Sequence, residues 1–365
     1  MKRRRRRWIL PLALTAGGAA CVVALAAGAG DFRSPESPPT ASRPTAAGGT
    51  GVIRVVPSTG QVQAGPSFPA VNGIADGLGS VWLTGAAPGQ AHLLYAVDPA
   101  TGRLNATVTL PSISVLNPND IAVGSGAVWV AVGASVYRIG PGTTLAGNRV
   151  TRAFAALPRD GFIGDIAVGA GAVWVTDTTH GKVYRFAAST GRLEAVVPVG
   201  ATAGAMAVGD GGVWVANGDA RTVSRISVVR NRVGLVVKVP GVPSHMTAAE
   251  SGLWVTDGTG SVMTLPEGTS GRVLTVPVGG EATGVAASGG TVWVSSTTNG
   301  TLSRIDARRR AVVARVHVGV RPYAVAADWR SVWVSVLGRP VMMRALPGGS
   351  ATSAAQLAWL QRFCG

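Results

Sequence analysis

A motif of the form apolar-Ala-x-Gly-x-Gly-x-Val-Trp-Val recurs along the chain as GIADGLGSVWLT, DIAVGSGAVWVA, DIAVGAGAVWVT, AMAVGDGGVWVA, HMTAAESGLWVT, GVAASGGTVWVS and AVAADWRSVWVS. Its tryptophans are Trp82, Trp129, Trp174, Trp214, Trp254, Trp293 and Trp333, separated by 47, 45, 40, 40, 39 and 40 residues. Self-similarity at a period of about 40 residues marks a propeller or a solenoid, in which no repeat can bury its apolar faces alone. Within one period, Ala205 to Asp210, Gly212 to Asn217, Thr222 to Val228 and Arg232 to Pro240 read as four short strands, with Gly and Asn at the turns. Alternation inside Val-Trp-Val sends valines to one face and Trp to the other. Both faces are apolar, so each blade must be covered by its two neighbours. The reading is an all-β, seven-bladed β-propeller of four-stranded antiparallel blades over residues 51–346.

The ends of the repeat array predict how the ring closes. Thr59 to Ala75 aligns with Thr190 to Ala207, which makes Gln61 to Phe68 a fourth strand placed before the first blade. The last blade begins at Ala324 and has no outer strand of its own, so this N-terminal strand should complete it and remove two open edges. Val52 to Val56 and Val341 to Leu346 both resemble a third strand, and only one can take that place. Residues 347–365 form a tail in which Ala354 to Phe363 reads as a short amphipathic helix.

Composition agrees with many short buried strands: 47% of residues are hydrophobic, 14% are charged, and there are 51 Gly and 22 Pro. The two cysteines, Cys21 and Cys364, lie at opposite ends of the chain and allow no internal disulfide framework. Net charge is +16, of which residues 1–50 carry +6, from eight Lys/Arg against Asp31 and Glu36. A basic surface favours anionic partners without reading any sequence.

Residues 1–30 read as a signal peptide or signal anchor. Five consecutive arginines precede an apolar run from Trp8, and Ala27-Gly28-Ala29 is a small-x-small cleavage site. Arg6-Arg7-Trp8-Ile9-Leu10 half-matches a twin-arginine signal, and Gly18-Ala19-Ala20-Cys21 half-matches a lipoprotein box. The run from Trp8 to Ala29 is also long enough to remain as a membrane anchor. Residues 31–50, rich in Pro, Ser, Thr and Ala, read as a disordered linker. The expected location is extracytoplasmic, secreted or anchored by this segment.

The order Gly-x-Val-Trp-Val, Val-x-Arg-Ile-Asp, Val-x-Val-Gly-x-x-Pro-x-x-Val-Ala, fullest over Thr291 to Ala326, resembles the YVTN family of exported bacterial propellers. That resemblance implies the fold and export, because the pattern consists of blade-core positions. The segment VPSHMTAAESGLWVTD is similar to the virginiamycin B lyase family, seven-bladed enzymes that open cyclic streptogramins by metal-assisted elimination through His and Glu on one face. Here His245 stands two residues after Pro243, and Asp257 stands where that family has glutamate.

Connections from strand four to the next strand one, and from strand two to strand three, share one face at the channel mouth, where binding residues concentrate. Nine residues before each Trp stand Gly73, Asp120, Asp165, Ala205, His245, Gly284 and Ala324. Three residues after it stand Gly85, Val132, Asp177, Asn217, Asp257, Ser296 and Val336. Asp120, Asp165, Asp177, Asn217, His245 and Asp257, joined by Glu281, Arg321 and Tyr323, form the expected ligand-binding arc. The competing reading is that Asp and Asn cap turns there. No zinc spacing, phosphate loop, nucleophile elbow or calcium loop occurs, so neither a cofactor nor a metal is expected and the balance leans away from an enzyme. The expectation is a monomeric binding or scaffold module of the cell envelope, its partner a small molecule, an envelope polymer or a protein. A lyase or hydrolase with its site at the channel mouth is the alternative. The opposite face collects Arg103, Arg149, Arg192, Arg232, Arg272 and Arg308 to Arg310 in its turns, a basic rim suited to anionic lipid; nucleic acid is not expected.

Overall fold

The computed structural model describes residues 51–68, 71–85, 93–110, 121–140, 149–209, 211–266 and 272–336. The leader, the linker, Asp120, residues 341–346 and the tail therefore lie outside the described residues. Seven four-stranded antiparallel sheets make seven blades, and no helix occurs among the described residues. Counting from the first complete repeat, the innermost strands are Gly73–Gly77, Ile121–Gly124, Ile163–Gly169, Ala203–Gly209, His245–Ala249, Ala282–Ser288 and Pro322–Ala327. Each touches the innermost strand of both neighbours, which closes a ring around a central channel.

The N-terminus supplies two strands to blade seven, the third as well as the fourth. Gly51–Val55 pairs with Val332–Val336, and Val62–Ser67 pairs with Gly51–Val55 as the outer strand. Two strands from each end of the propeller thus interlock, and neither open edge survives.

Packing between blades follows from the Val-Trp-Val alternation. Trp129 packs on Val173 and Val175 of blade three, Trp174 on Val213 and Val215 of blade four, and Trp293 on Val332 and Val334 of blade seven. Trp333 of blade seven meets Val81 and Leu83 of blade one, so the seam has the same interface as the other boundaries. All seven tryptophans are buried. A buried Trp removes about 150–250 Å² from water, which makes this belt the main apolar glue between blades.

A second contact repeats beside the first. Trp174 pairs across the strands with Arg185, Trp214 with Arg225, and Trp293 with Arg304, and each guanidinium lies over its tryptophan, at 5.1, 5.6 and 5.8 Å from the ring centroid. From there the arginines reach the next blade. Arg185 Nη1 donates to the Val228 carbonyl and to Asn231 Oδ1, both at 2.7 Å, and Arg304 Nη1 donates to the Pro57 carbonyl at 3.1 Å. Glu194 Oε2 stands 3.0 Å from Arg185 Nε as an ion pair without hydrogen-bond alignment. Arg54, facing Trp333, plays the part in blade seven and bonds the Ala100 carbonyl of blade one at 3.1 Å.

Antiparallel order fixes two faces. Turns joining strands two and three and loops joining strand four to the next strand one lie on the upper face. Turns joining strands one and two, and three and four, lie on the lower face.

Candidate functional site

The sevenfold repeat brings the polar arc to the upper mouth of the channel, and the local bonds divide it. Asp165, at a bulge in the innermost strand of blade three, accepts the Ile166 amide at 2.6 Å through Oδ1 and the Met206 amide of blade four at 2.5 Å through Oδ2. Burial pushes its pKa up to about 7, against the pull of these two amides. Its carboxyl joins two blades. Asp177, fully buried at the end of strand two, accepts the Thr179 and His180 amides at 3.1 Å and thus caps the turn. Asn217, also buried, donates through Nδ2 to Ser224 Oγ at 2.9 Å and Thr222 Oγ1 at 3.1 Å. Asp257 accepts the Thr259 amide at 2.9 Å and its hydroxyl at 2.6 Å. A Cβ at Gly241 would collide with the Asp257 carboxylate, so glycine there lets the preceding loop cross over this cap. Capping and strand tying account for the carboxylates of the three aspartates and for Nδ2 of Asn217, whereas the buried Asn217 Oδ1 has no hydrogen-bond partner.

His245 differs. It opens the innermost strand of blade five, and its ring meets that of Tyr323, from blade seven, edge to face at 5.5 Å and 89°. The two residues come from strands on either side of blade six, and glycine lets the blade-seven strand approach blade six closely: a Cβ at Gly284 would collide with the Tyr323 carbonyl. Burial drives the His245 pKa down to about 4, so the imidazole is neutral at neutral pH. Its Nδ1 is shielded from solvent and has no hydrogen-bond partner. Glu281 and Arg321 are exposed on the same face, in the loops that lead into blades six and seven. Arg321 holds a positive φ of 51° just ahead of Tyr323.

Two features escaped the sequence reading. Residues two after the tryptophan are hydroxyl-bearing in five blades, namely Thr84, Thr176, Thr256, Ser295 and Ser335, and all are fully buried. They tie the mouth together: Thr256 Oγ1 donates to the Thr283 carbonyl of the next blade at 2.6 Å, and Ser295 Oγ donates to the Tyr323 carbonyl at 2.6 Å. The signal was present in the repeat alignment as a periodic Thr/Ser beside apolar neighbours. The second feature is His180, whose Nδ1 stands 2.8 Å from Asp177 Oδ2 and whose Nε2 stands 3.4 Å from Asp160 Oδ2. The Asp177 hydrogen bond and both carboxylates raise its pKa. Asp160 belongs to a loop with no repeat register, and the pairing left no mark in the sequence.

The virginiamycin B lyase resemblance implies a metal held by His and carboxylate, and the donors present do not fit one. Asp257 caps Thr259 through Oδ1, the ring partner of His245 is a tyrosine, and no cluster of three or more His, Cys, Asp or Glu side chains converges among the described residues. No step through a metal follows from this arrangement.

No family model matches the chain, and no curated protein sequence matches it significantly. Its fold is similar to solved structures. A streptogramin B lyase structure aligns with a TM-score of 0.59 at 14% identity, covering 73% of this chain and 93% of that one. Hydrazine synthase of Kuenenia stuttgartiensis aligns at 0.58 and 13% identity, covering 73% and 92%. At such identity the likeness establishes the seven-bladed propeller alone.

Proposed function

We propose that the protein is an exported propeller of the YVTN type that binds a ligand at the upper mouth without catalysing its turnover, as a module of the cell envelope. The arginine run, apolar segment and small-residue cleavage site of the leader support export, secreted or anchored. The observation that carries the binding reading is His245. A desolvated, neutral imidazole with an unpartnered Nδ1 is costly to keep unless something entering the channel bonds to it. Tyr323 offers an aromatic edge beside it, and Glu281 and Arg321 offer charges of both signs at the rim. The complementary ligand is small and polar, carrying hydrogen-bonding groups on an apolar frame, such as a short peptide or an amino sugar. Turnover is disfavoured because two carboxylates of the arc, Asp165 and Asp257, are engaged by backbone and hydroxyl groups.

A panel of short peptides and amino sugars, read by the rise in melting temperature, tests this reading. A compound that stabilises the parent should fail on His245→Ala and still stabilise Asp257→Ala. A shift that survives His245→Ala would move the site elsewhere. Incubation with a streptogramin B and divalent ions tests the lyase alternative. Elimination leaves mass unchanged, so ring opening must be read by chromatography, and its appearance would overturn the non-catalytic reading.

A further inference from the structure

We infer that the lower face of the propeller docks on an anionic lipid surface, with Trp329 and Leu78 as its apolar anchors. The repeat supplies its own control. Four residues before the recurring tryptophan, the repeats of blades two to six carry Ser125, Ala170, Asp210, Glu250 and Gly289. Only blades one and seven carry large apolar residues there, Leu78 and Trp329, and those blades adjoin at the seam. Trp329 is 73% exposed and Leu78 44% exposed. The innermost strands that lead into these turns, Gly73–Gly77 and Pro322–Ala327, pack against each other at the seam, which brings both turns to the lower mouth.

Neither residue serves the fold. Leu78 holds a positive φ of 53°, as Ser125 and Ala170 hold positive φ at the same position of their turns, and it is exposed. Trp329 has the Arg330 guanidinium stacked 4.3 Å from its ring centroid. An exposed Trp beside a cation suits the headgroup region of a bilayer, where an amphipathic ring and a charge are both accommodated. Val229, 86% exposed beside Arg230 in a blade-four turn, extends the apolar contacts to another part of the same face.

Charge complementarity favours lipid of negative sign. Arg103, Arg192, Arg230, Arg308, Arg309 and Arg330 are exposed in or beside the lower turns. The part-exposed aspartates there serve as turn caps: Asp98 accepts the Ala100 and Thr101 amides, Asp306 those of Arg308 and Arg309, and Asp328 those of Arg330 and Ser331. Asp306 also keeps a loose 3.8 Å contact with Arg309, and the exposed acids in or beside these turns include Glu250 and Glu194, the latter paired with Arg185. The upper face is closer to balance, with exposed Asp160, Asp219 and Glu281 beside exposed Arg159, Arg221, Lys238 and Arg321. Basic side chains around an aromatic anchor meet the two requirements of interfacial binding, apolar insertion and attraction to anionic headgroups.

The test is local hydrogen exchange on the full chain with vesicles of phosphatidylglycerol and phosphatidylcholine, with pure phosphatidylcholine vesicles, and with soluble polyphosphate. Local exchange is required because the arginines of the leader would by themselves draw the chain to an anionic vesicle. Anionic vesicles should protect the turns at 77–79, 228–231 and 328–331 and leave upper-face turns unchanged. Neutral vesicles and polyphosphate should leave the 328–331 turn unprotected. The double variant Trp329→Ala, Arg330→Ala should melt as the parent does and lose that protection. Protection on the upper face, equal protection by neutral vesicles, protection of 328–331 by polyphosphate, or full protection of the double variant would each overturn the inference.

Discussion

The Met206 amide of blade four donates to the Asp165 carboxylate of blade three, 41 residues away, at 2.5 Å. The side chain spans the gap between two innermost strands where a bulge interrupts each blade's own ladder. Asp165→Asn keeps one acceptor and turns an amide donor toward another donor, so it should cost about 1–3 kcal/mol. The pH dependence has a definite sign. Burial raises the Asp165 pKa from 3.8 to about 7, so its contribution to stability is full below pH 3.8 and lost as pH rises through about 7. Urea melts at pH 5 and pH 7.5 should show a smaller loss of stability on raising pH in the asparagine variant than in the parent.

His245 titrates in the opposite sense. Its pKa falls from 6.5 to about 4, so its contribution is present above pH 6.5 and lost as pH falls through about 4. His245→Gln should therefore lose less stability than the parent between pH 7 and pH 4, as read by urea melts at the two values. Equal losses would show that the imidazole is solvated.

Much of this fold could be read before any coordinates, for a physical reason. A propeller repeats one burial problem seven times, so Trp82 to Trp333 stand in register and the missing outer strand of the last blade can be inferred by counting. The third strand of that blade could not be decided, because Val52 to Val56 and Val341 to Leu346 carry the same apolar alternation. The structure gives Gly51–Val55 the place, with Arg54 facing Trp333 as Arg185 faces Trp174. The site was less legible. Register placed Asp165, Asp177, Asn217 and Asp257 at the mouth, but whether a carboxylate caps a turn or faces a ligand depends on rotamers, which spacing does not encode. The His245 and Tyr323 rings meet across blade six, and that contact has no signature in either repeat.

Ring closure should be cooperative. Deleting residues 51–67 removes both N-terminal strands of blade seven and uncovers Val332 to Val334. The truncated chain should aggregate or melt without a sharp transition in calorimetry. A melt as sharp as that of the parent would show closure by another segment.

The tryptophan belt and its arginines should be separable. Trp214→Ala should cost about 3–5 kcal/mol through lost burial and a cavity between blades four and five. Arg185→Ala should cost about 2–4 kcal/mol, from the cation–π contact and two charged hydrogen bonds to blade four. Exposed Arg232→Ala should lie within about 0.5 kcal/mol of the parent in the same denaturation series.

Histidine-selective NMR with a compound that raises the melting temperature tests the binding site most directly. The chain has four histidines, and His180 and His245 mark two different parts of the upper face. Saturating amounts of the compound should move the His245 ring resonances and leave those of His180 in place. Movement of His180 with His245 unchanged would contradict the account and put the site at the Asp160 and Asp177 pair of blade three.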